Sequence, residues 1–144
     1  MDLVAEINAS WGWIGINATD VVGENDFGNL IVKDDESRYW RIFPEELACE
    51  KIAENRQELD LLSNDQEFLQ DWYMRVLVSV AKEALGELTD NKKYCFVIPA
   101  SLGGEYNASN FKTISLVELI RFSGDLAHQI KDLPPGSKIK LNVD

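Results

Sequence analysis

Three kinds of residue in this 144-residue chain are of types that could do chemistry. The first is the glycine pair in "YCFVIPASLGGEYNASN" (residues 94–110), which follows the apolar run Tyr94 to Ile98 and Pro99. A phosphate-cradling loop needs backbone N–H groups that open onto a helix N-terminus, usually with a lysine for the terminal phosphates. Here Glu105 follows Gly103 and Gly104, the next cation is Lys112, and neither the GxGxxG nor the Walker pattern occurs. A carboxylate in that place repels phosphate. The pair therefore reads as a tight turn with one glycine at positive φ, after which Tyr106 either folds back on the core or faces a partner.

The second kind is nucleophiles and bases. His128 is the one histidine, and it shares the polar side of a predicted helix with Arg121 and Asp125. A Cys–His pair would have to use Cys49 or Cys95, yet both lie in apolar, strand-like runs where thiols are inert. Neither cysteine has a CxxC or other metal spacing, and both read as buried free thiols. No GxSxG nucleophile elbow occurs. One histidine also excludes a histidine-rich zinc site.

Carboxylates are the third kind, and they are plentiful. Glu45, Glu46, Glu50, Glu54 and Glu58 follow surface spacing. A glycosidase-like pair would need two of them across a cleft. The run Asp34-Asp35-Glu36 has oxygen ligands but lacks the EF-hand spacing, so it reads as a polar turn. No metal and no cofactor are expected.

The sign of the charge is more informative than any single group. Formal net charge is -11, which argues against direct nucleic-acid binding. Residues 1–72 hold 17 acids and 5 bases, whereas residues 73–144 hold 8 acids and 9 bases. A surface of that sign speeds encounter with a basic partner. The alternative is ordinary solubility. With 45% apolar residues the chain has enough for a core, and no apolar run reaches the roughly 20 residues that span a bilayer. "MDLVAEINASWGWIG" has neither a basic segment nor a continuous apolar one, so a cytoplasmic location is expected.

The elements that must position these groups are legible from periodicity. Residues 2–10 suit a short helix and 20–25 a strand. "GNLIVKDDESRYWRIF" (28–43) reads as a β-hairpin, with Leu30 and Val32 on one face and Trp40 and Ile42 on one face of the return strand. Pro44 stops it, "PEEL" makes a helical turn, and 48–53 is a further strand. Capping boxes at Asn55/Glu58, Asn64/Glu67 and Ser115/Glu118 open three helices. The second is expected to run from 65 to 85, apolar almost all round, as a long buried central helix ended by Gly86. Tyr94–Ile98 reads as a buried strand, 116–131 as a C-terminal helix with Gly124 inside it, and "SKIKLNV" (137–143) as a final strand. Trp40 and Trp72 fall on inward faces, while Trp11 and Trp13 alternate. The expected class is α+β: one domain over 1–144, a largely antiparallel sheet, the long central helix and a second, C-terminal helix.

Several stretches in order carry a resemblance: "WGWIG" (11–15), "FGNLIV" (27–32), "RYWRIFPEELACEKIAE" (38–54), "FLQDWYMRVLV" (68–78), "IPASLGGEYNASNFKTISLVELI" (98–120) and "SGDLAHQIKDLPPGSKIKL" (123–141). Together they resemble the C-terminal domain of type VI secretion immunity proteins of the Tdi type. The resemblance implies a bacterial cytoplasmic protein that binds and blocks a cognate toxin, typically a DNase effector, with no catalysis of its own. In that family the domain often follows a GAD-like domain. Residues 1–10 alone precede "WGWIG", so such a domain is expected to be missing.

A nuclease presents a basic groove to DNA, and an acidic inhibitor suits it. The acids of the first half are accordingly the expected toxin contacts: Asp34, Asp35, Glu36, Glu45, Glu46, Glu54 and Glu58. The loop Gly103, Gly104, Glu105 and Tyr106 is the second candidate. Neither a nucleic acid nor a membrane is an expected direct partner. Two other readings stand beside this one. A non-catalytic adaptor or interaction module has no diagnostic motif. A carboxylate enzyme predicts two acids of raised pKa in one cleft.

Overall fold

The computed structural model describes residues 2–133. Four strands form an antiparallel meander in the order β1-β2-β3-β4: Ala18–Glu24, Leu30–Asp34, Tyr39–Phe43 and Ala48–Ala53. Leu30 lies opposite Ile42 and Val32 opposite Trp40, as the hairpin pattern requires. The outer strand β1 slips register against β2 twice, between Ala18 and Asp20 and between Val21 and Gly23.

The apolar run of β2 follows from burial on both faces. Leu30 and Val32 point into a core with Ile7, Trp11, Ile16, Ile42 and Ile120. This core is closed by α1 (Leu3–Trp11) and α5 (Leu116–Ile130). Ile31, between them, points the other way, with Tyr39, Ala53, Leu59 and Trp72. Successive side chains in a strand face opposite sides, and here each side meets its own helices: α2 (Arg56–Leu62) and α3 (Gln66–Tyr73) cover the second.

A third cluster joins Phe27 and Ala81 to Tyr94, Phe96 and Phe111. It ties α4 (Arg75–Leu85) to a two-stranded antiparallel sheet of β5 (Lys92–Phe96) and β6 (Phe111–Ser115). The α+β class, the antiparallel sheet and the C-terminal helix thus stand as expected. The final strand expected over 137–143 lies outside the described residues.

The long buried central helix does not form. Residues 66–85 make two helices, broken at Met74, whose backbone is left-handed at φ 47°. Two apolar stripes cause the break. Phe68 and Trp72 belong to the core behind the sheet, whereas Met74, Leu77, Val78 and Ala81 belong to the phenylalanine cluster. At about 100° per residue, one straight helix would aim those stripes in nearly opposite directions. Asn25, buried, fixes the turn: its Nδ2 donates to the Trp72 carbonyl at 2.7 Å. Only Trp72 and Ala81 of these two helices are buried, so the pair is a surface layer.

Asn55 and Ser115 cap their helices as expected, accepting from the Glu58 and Glu118 N–H groups, while the Glu58 carboxylate accepts from the Glu54 N–H and the Glu118 carboxylate from the Ser115 hydroxyl. The middle cap shifts by a residue: Asp65, not Asn64, accepts from the Glu67 and Phe68 N–H groups. Gly86 does end α4, at φ 85°. Gly124 lets α5 meet α1, a contact flanked by an ion pair from Arg121 Nη2 to Glu6 Oε1 at 2.7 Å. Burial pushes the Glu6 carboxyl up, but the Ser10 hydroxyl and Arg121 together hold it below its usual value.

Candidate functional site

The acids expected to meet a partner fall at opposite ends of the sheet. At the β2–β3 turn, Asp34 is buried and internally committed. Its Oδ1 accepts from the Glu36 and Arg38 N–H groups, both at 2.9 Å. Its Oδ2 accepts from Arg38 Nε and Trp40 Nε1, both also at 2.9 Å. Burial pushes this carboxyl up, and the four hydrogen bonds outweigh it, so its pKa is held low. Asp34 is therefore a turn staple, not an exposed contact, which corrects its expected role. Its neighbours are exposed: Asp35 accepts from Asn17 Nδ2 at 3.1 Å, and Glu36 pairs with Arg38 Nη1 at 3.3 Å. Ala53 at the end of β4 lies opposite Tyr39 at the start of β3, which puts Glu54 at the same end; Glu54 pairs with Lys51, and Glu58 accepts from the Glu54 N–H at 2.7 Å.

The other end of β3 is built around a buried cation. Arg41 points to the α3 side of the sheet, with its guanidinium 4.2 Å from the centre of the Phe43 ring and 5.1 Å from that of Trp72. Its Nε and Nη2 donate to Asn29 Oδ1 at 3.1 and 2.9 Å. Nη1 reaches Asp71 Oδ2 on α3 at 2.6 Å, and that carboxylate is exposed. Asn29 in turn donates to Glu45 Oε1 at 2.7 Å. Glu45, expected as a solvated acid, is buried because Pro44–Glu46 coils as a single turn of 3-10 helix that turns it inward. Burial raises its pKa against the pull of Asn29 and Arg41. With Cys95 and Phe96 it lines a gap of about 10 Å³, too small for a substrate.

Glu46 and the glycine loop come together here. Gly103 takes the expected positive φ, 94°, while Gly104 passes so close to the Ile98 carbonyl that no side chain fits. Asn110 staples the loop, donating to the Ile98 and Glu105 carbonyls at 2.9 and 3.0 Å. Tyr106 is thereby set with its ring edge-on to Phe96, centroids 5.1 Å apart, and its hydroxyl donating to Glu46. It remains 53% exposed. The Glu46 hydrogen bond, with burial and the charges of Glu45 and Asp71, pushes the phenol up to about 12. The result is one exposed aromatic among Glu46, Glu105 and Asp71. Asp71 and the Arg41–Asn29 support are what sequence reasoning missed. The one available signal was an arginine in the middle of an otherwise apolar strand.

The remaining candidates are structural or inert. Cys49 and Cys95 are free thiols that burial pushes up to about 12 and about 11. His128 is exposed on α5 and stacks on Trp13, centroids 4.8 Å apart. Among the described residues, no group of three or more His, Cys, Asp or Glu is placed to hold a metal. No described helix is long and apolar enough to cross a membrane. A groove of about 860 Å³ between the starts of β5 and α5 is lined by both signs of charge, including the Lys93–Glu24 pair at 2.9 Å.

Residues 53–127 match the family model described as T6SS immunity protein Tdi1, C-terminal, where T6SS is the type VI secretion system. No curated protein matches the chain. Among solved structures, that of Atu4351 from Agrobacterium tumefaciens is similar, with a TM-score of 0.56 at 12% identity. The likeness covers 85% of this chain and 62% of that one, and at such identity it speaks to the fold alone.

Proposed function

The chain belongs to the family of the T6SS immunity protein Tdi1 C-terminal domain, and on that premise we propose that it binds and neutralises a cognate toxin, a nuclease, by one-to-one occlusion in the bacterial cytoplasm. Membership in an immunity family implies a toxin partner and a non-enzymatic role. The family match carries the reading. The acidic patch around Tyr106 supports the choice of a partner with a basic surface, since a nuclease must offer cations to DNA phosphates. In this reading Glu46, Glu105, Asp71 and Tyr106 make the polar contact, while Asp35, Glu36, Glu54 and Glu58 add a long-range field. Glu45 and Asp34 act from beneath the surface by holding the loops. Direct binding of nucleic acid has no place in it.

The test is calorimetric titration of the full chain with the product of the adjacent gene, with DNA cleavage assayed in parallel. Tight 1:1 binding with loss of cleavage is the expected result. Binding without loss of cleavage would leave an interaction module, and no binding at all would reduce the family match to a statement about fold.

A further inference from the structure

Behind the acidic patch, one buried amide is shared by two charged side chains. Asn29 accepts from Arg41 at Oδ1, through both Nε and Nη2, and donates from Nδ2 to Glu45 Oε1. A guanidinium only donates, so the amide oxygen faces Arg41 and the amide N–H faces Glu45. Of the side chains of that size, only an amide serves both. Aspartate would accept from Arg41 but repel Glu45, and a serine hydroxyl has one proton and a shorter reach.

The main chain holds this amide in place. The Asn29 N–H donates to Asn25 Oδ1 at 2.9 Å, and the Asn29 carbonyl accepts from the Asn25 N–H at 3.1 Å. The Phe27 N–H also donates to Asn25 Oδ1, at 3.1 Å. Asn25 is in turn fixed to the Trp72 carbonyl at the helix break. Residues 25–29 are thus a closed turn tied to α3, and Asn29 sits anchored at its end.

Both arms of the amide lead to the surface. Through Arg41, whose Nη1 pairs with Asp71 Oδ2 at 2.6 Å, it reaches the exposed acid of α3. Through Glu45 it reaches the 3-10 turn Pro44–Glu46, whose last residue accepts from the Tyr106 hydroxyl. Asp71 and Glu46 belong to different elements, and the charge of Asp71 is felt at the Tyr106 phenol. Stability gives weak reason for such a chain, because apolar residues of the same volume often hold a core as well or better. A fixed spacing of surface acids does give a reason.

We propose that Asn29 is the positioning residue of the toxin contact: through Arg41 and Glu45 it holds Asp71, Glu46 and Tyr106 at one fixed spacing, so that a cationic side chain of the toxin meets acceptors already in place. This inference rests on the immunity reading and extends it to a residue that touches no partner. Acceptors held in advance do not have to be ordered on binding, which lengthens residence. Long-range attraction depends on charge, to which a neutral buried amide adds nothing.

Asn29→Ser separates the two effects. It leaves the net charge unchanged and opens room in which water can satisfy Arg41 and Glu45. In the full chain without partner, ultraviolet titration reads Tyr106, whose phenol is pushed up to about 12, first by Glu46. The expected difference from wild type is a step moved toward about 10, the ordinary value, with circular dichroism unchanged at the same pH values. An unmoved step overturns the proposal. Surface plasmon resonance against the adjacent-gene product is then expected to show dissociation faster by about tenfold with association within about twofold. A moved step with unchanged dissociation, while the wild type binds tightly, overturns the proposal and leaves the immunity reading standing. Failure of the wild type to bind overturns both. Should Asn29→Ser not fold, Glu45→Ala and Glu45→Gln decide. Both lose the same charge, but glutamine keeps an oxygen that can accept from Asn29, so Glu45→Gln is expected to dissociate several-fold more slowly than Glu45→Ala. Equal dissociation of the two overturns the proposal.

Discussion

Gly124 on α5 faces the main-chain carbonyl of Ser10 on α1 so closely that a methyl group added at position 124 would lie 2.4 Å from that oxygen. Helix propensity alone favours alanine over glycine by about 1 kcal/mol. The contact reverses the sign, because the atom met is backbone and cannot rotate away. Gly124→Ala is expected to destabilise the chain by roughly 2 kcal/mol, a typical overpacking penalty. Urea denaturation at constant m-value measures it, and a gain in stability would mean that α1 and α5 separate freely.

Asp34 should govern part of the acid limb of stability. Its folded pKa lies below its unfolded value, so its contribution is complete above the unfolded value near 3.9 and is lost as pH falls through the folded one. Asp34→Asn puts an amide donor among N–H donors and should cost roughly 2–3 kcal/mol at neutral pH. The difference from wild type should then shrink as pH drops below about 4. Chemical denaturation at a series of pH values tests the slope. A constant difference at every pH would show that the carboxylate charge is irrelevant to the turn.

The Arg41–Asp71 pair is asymmetric, and the two deletions should differ accordingly. Arg41 is buried beneath aromatic rings and also holds Asn29, so Arg41→Ala should cost roughly 3–5 kcal/mol. Asp71 is exposed, and Asp71→Asn should cost about 1 kcal/mol or less. Arg41→Lys keeps the charge but loses the planar fork and should restore only part of the loss. Equal losses at the two positions would place the energy in the ion pair and not in the cage.

The phenol of Tyr106 offers a direct reading of the acidic patch. Its ionisation is pushed up to about 12, first by the hydrogen bond to Glu46. Glu46→Gln should move that step back toward about 10, the ordinary tyrosine value. Tyr94 also ionises late through burial, so the ultraviolet titration of the variant is read as a difference from wild type. Superimposable titrations would mean that Tyr106 and Glu46 do not meet in solution.

Local signals wrote most of the frame. The hairpin from Leu30 to Phe43, the caps at Asn55 and Ser115, the stop at Gly86 and the turn at Gly103 are each set by residues within a few positions of one another. The misread elements depend on distant partners. The helix break at Met74 exists because two apolar stripes serve two cores, and the side chain that fixes it, Asn25, lies 47 residues from Trp72. Glu45 has the spacing of a surface acid and is buried by Asn29 and Arg41. Tyr106 meets Glu46 across 60 residues, so their patch could be assembled only in three dimensions. Asp34 is a milder case. An aspartate opening a turn, with an arginine four residues later, is the pattern of a side chain that bonds its own backbone, and it could have been told from a contact residue on that ground.

The double slip of β1 against β2 has a consequence for life in a crowded cell. A regular outer strand offers evenly spaced N–H and C=O groups on which a neighbouring molecule can lay a strand of its own, the first step toward a fibril. Twice-slipped pairing bends β1 and spaces those groups unevenly, so this side of the sheet is a poor seed. An inhibitor that acts one-to-one, as proposed, has to be kept in at least equal number to its toxin. Irregular pairing along β1 lets such a stock build up without this border nucleating ordered aggregates.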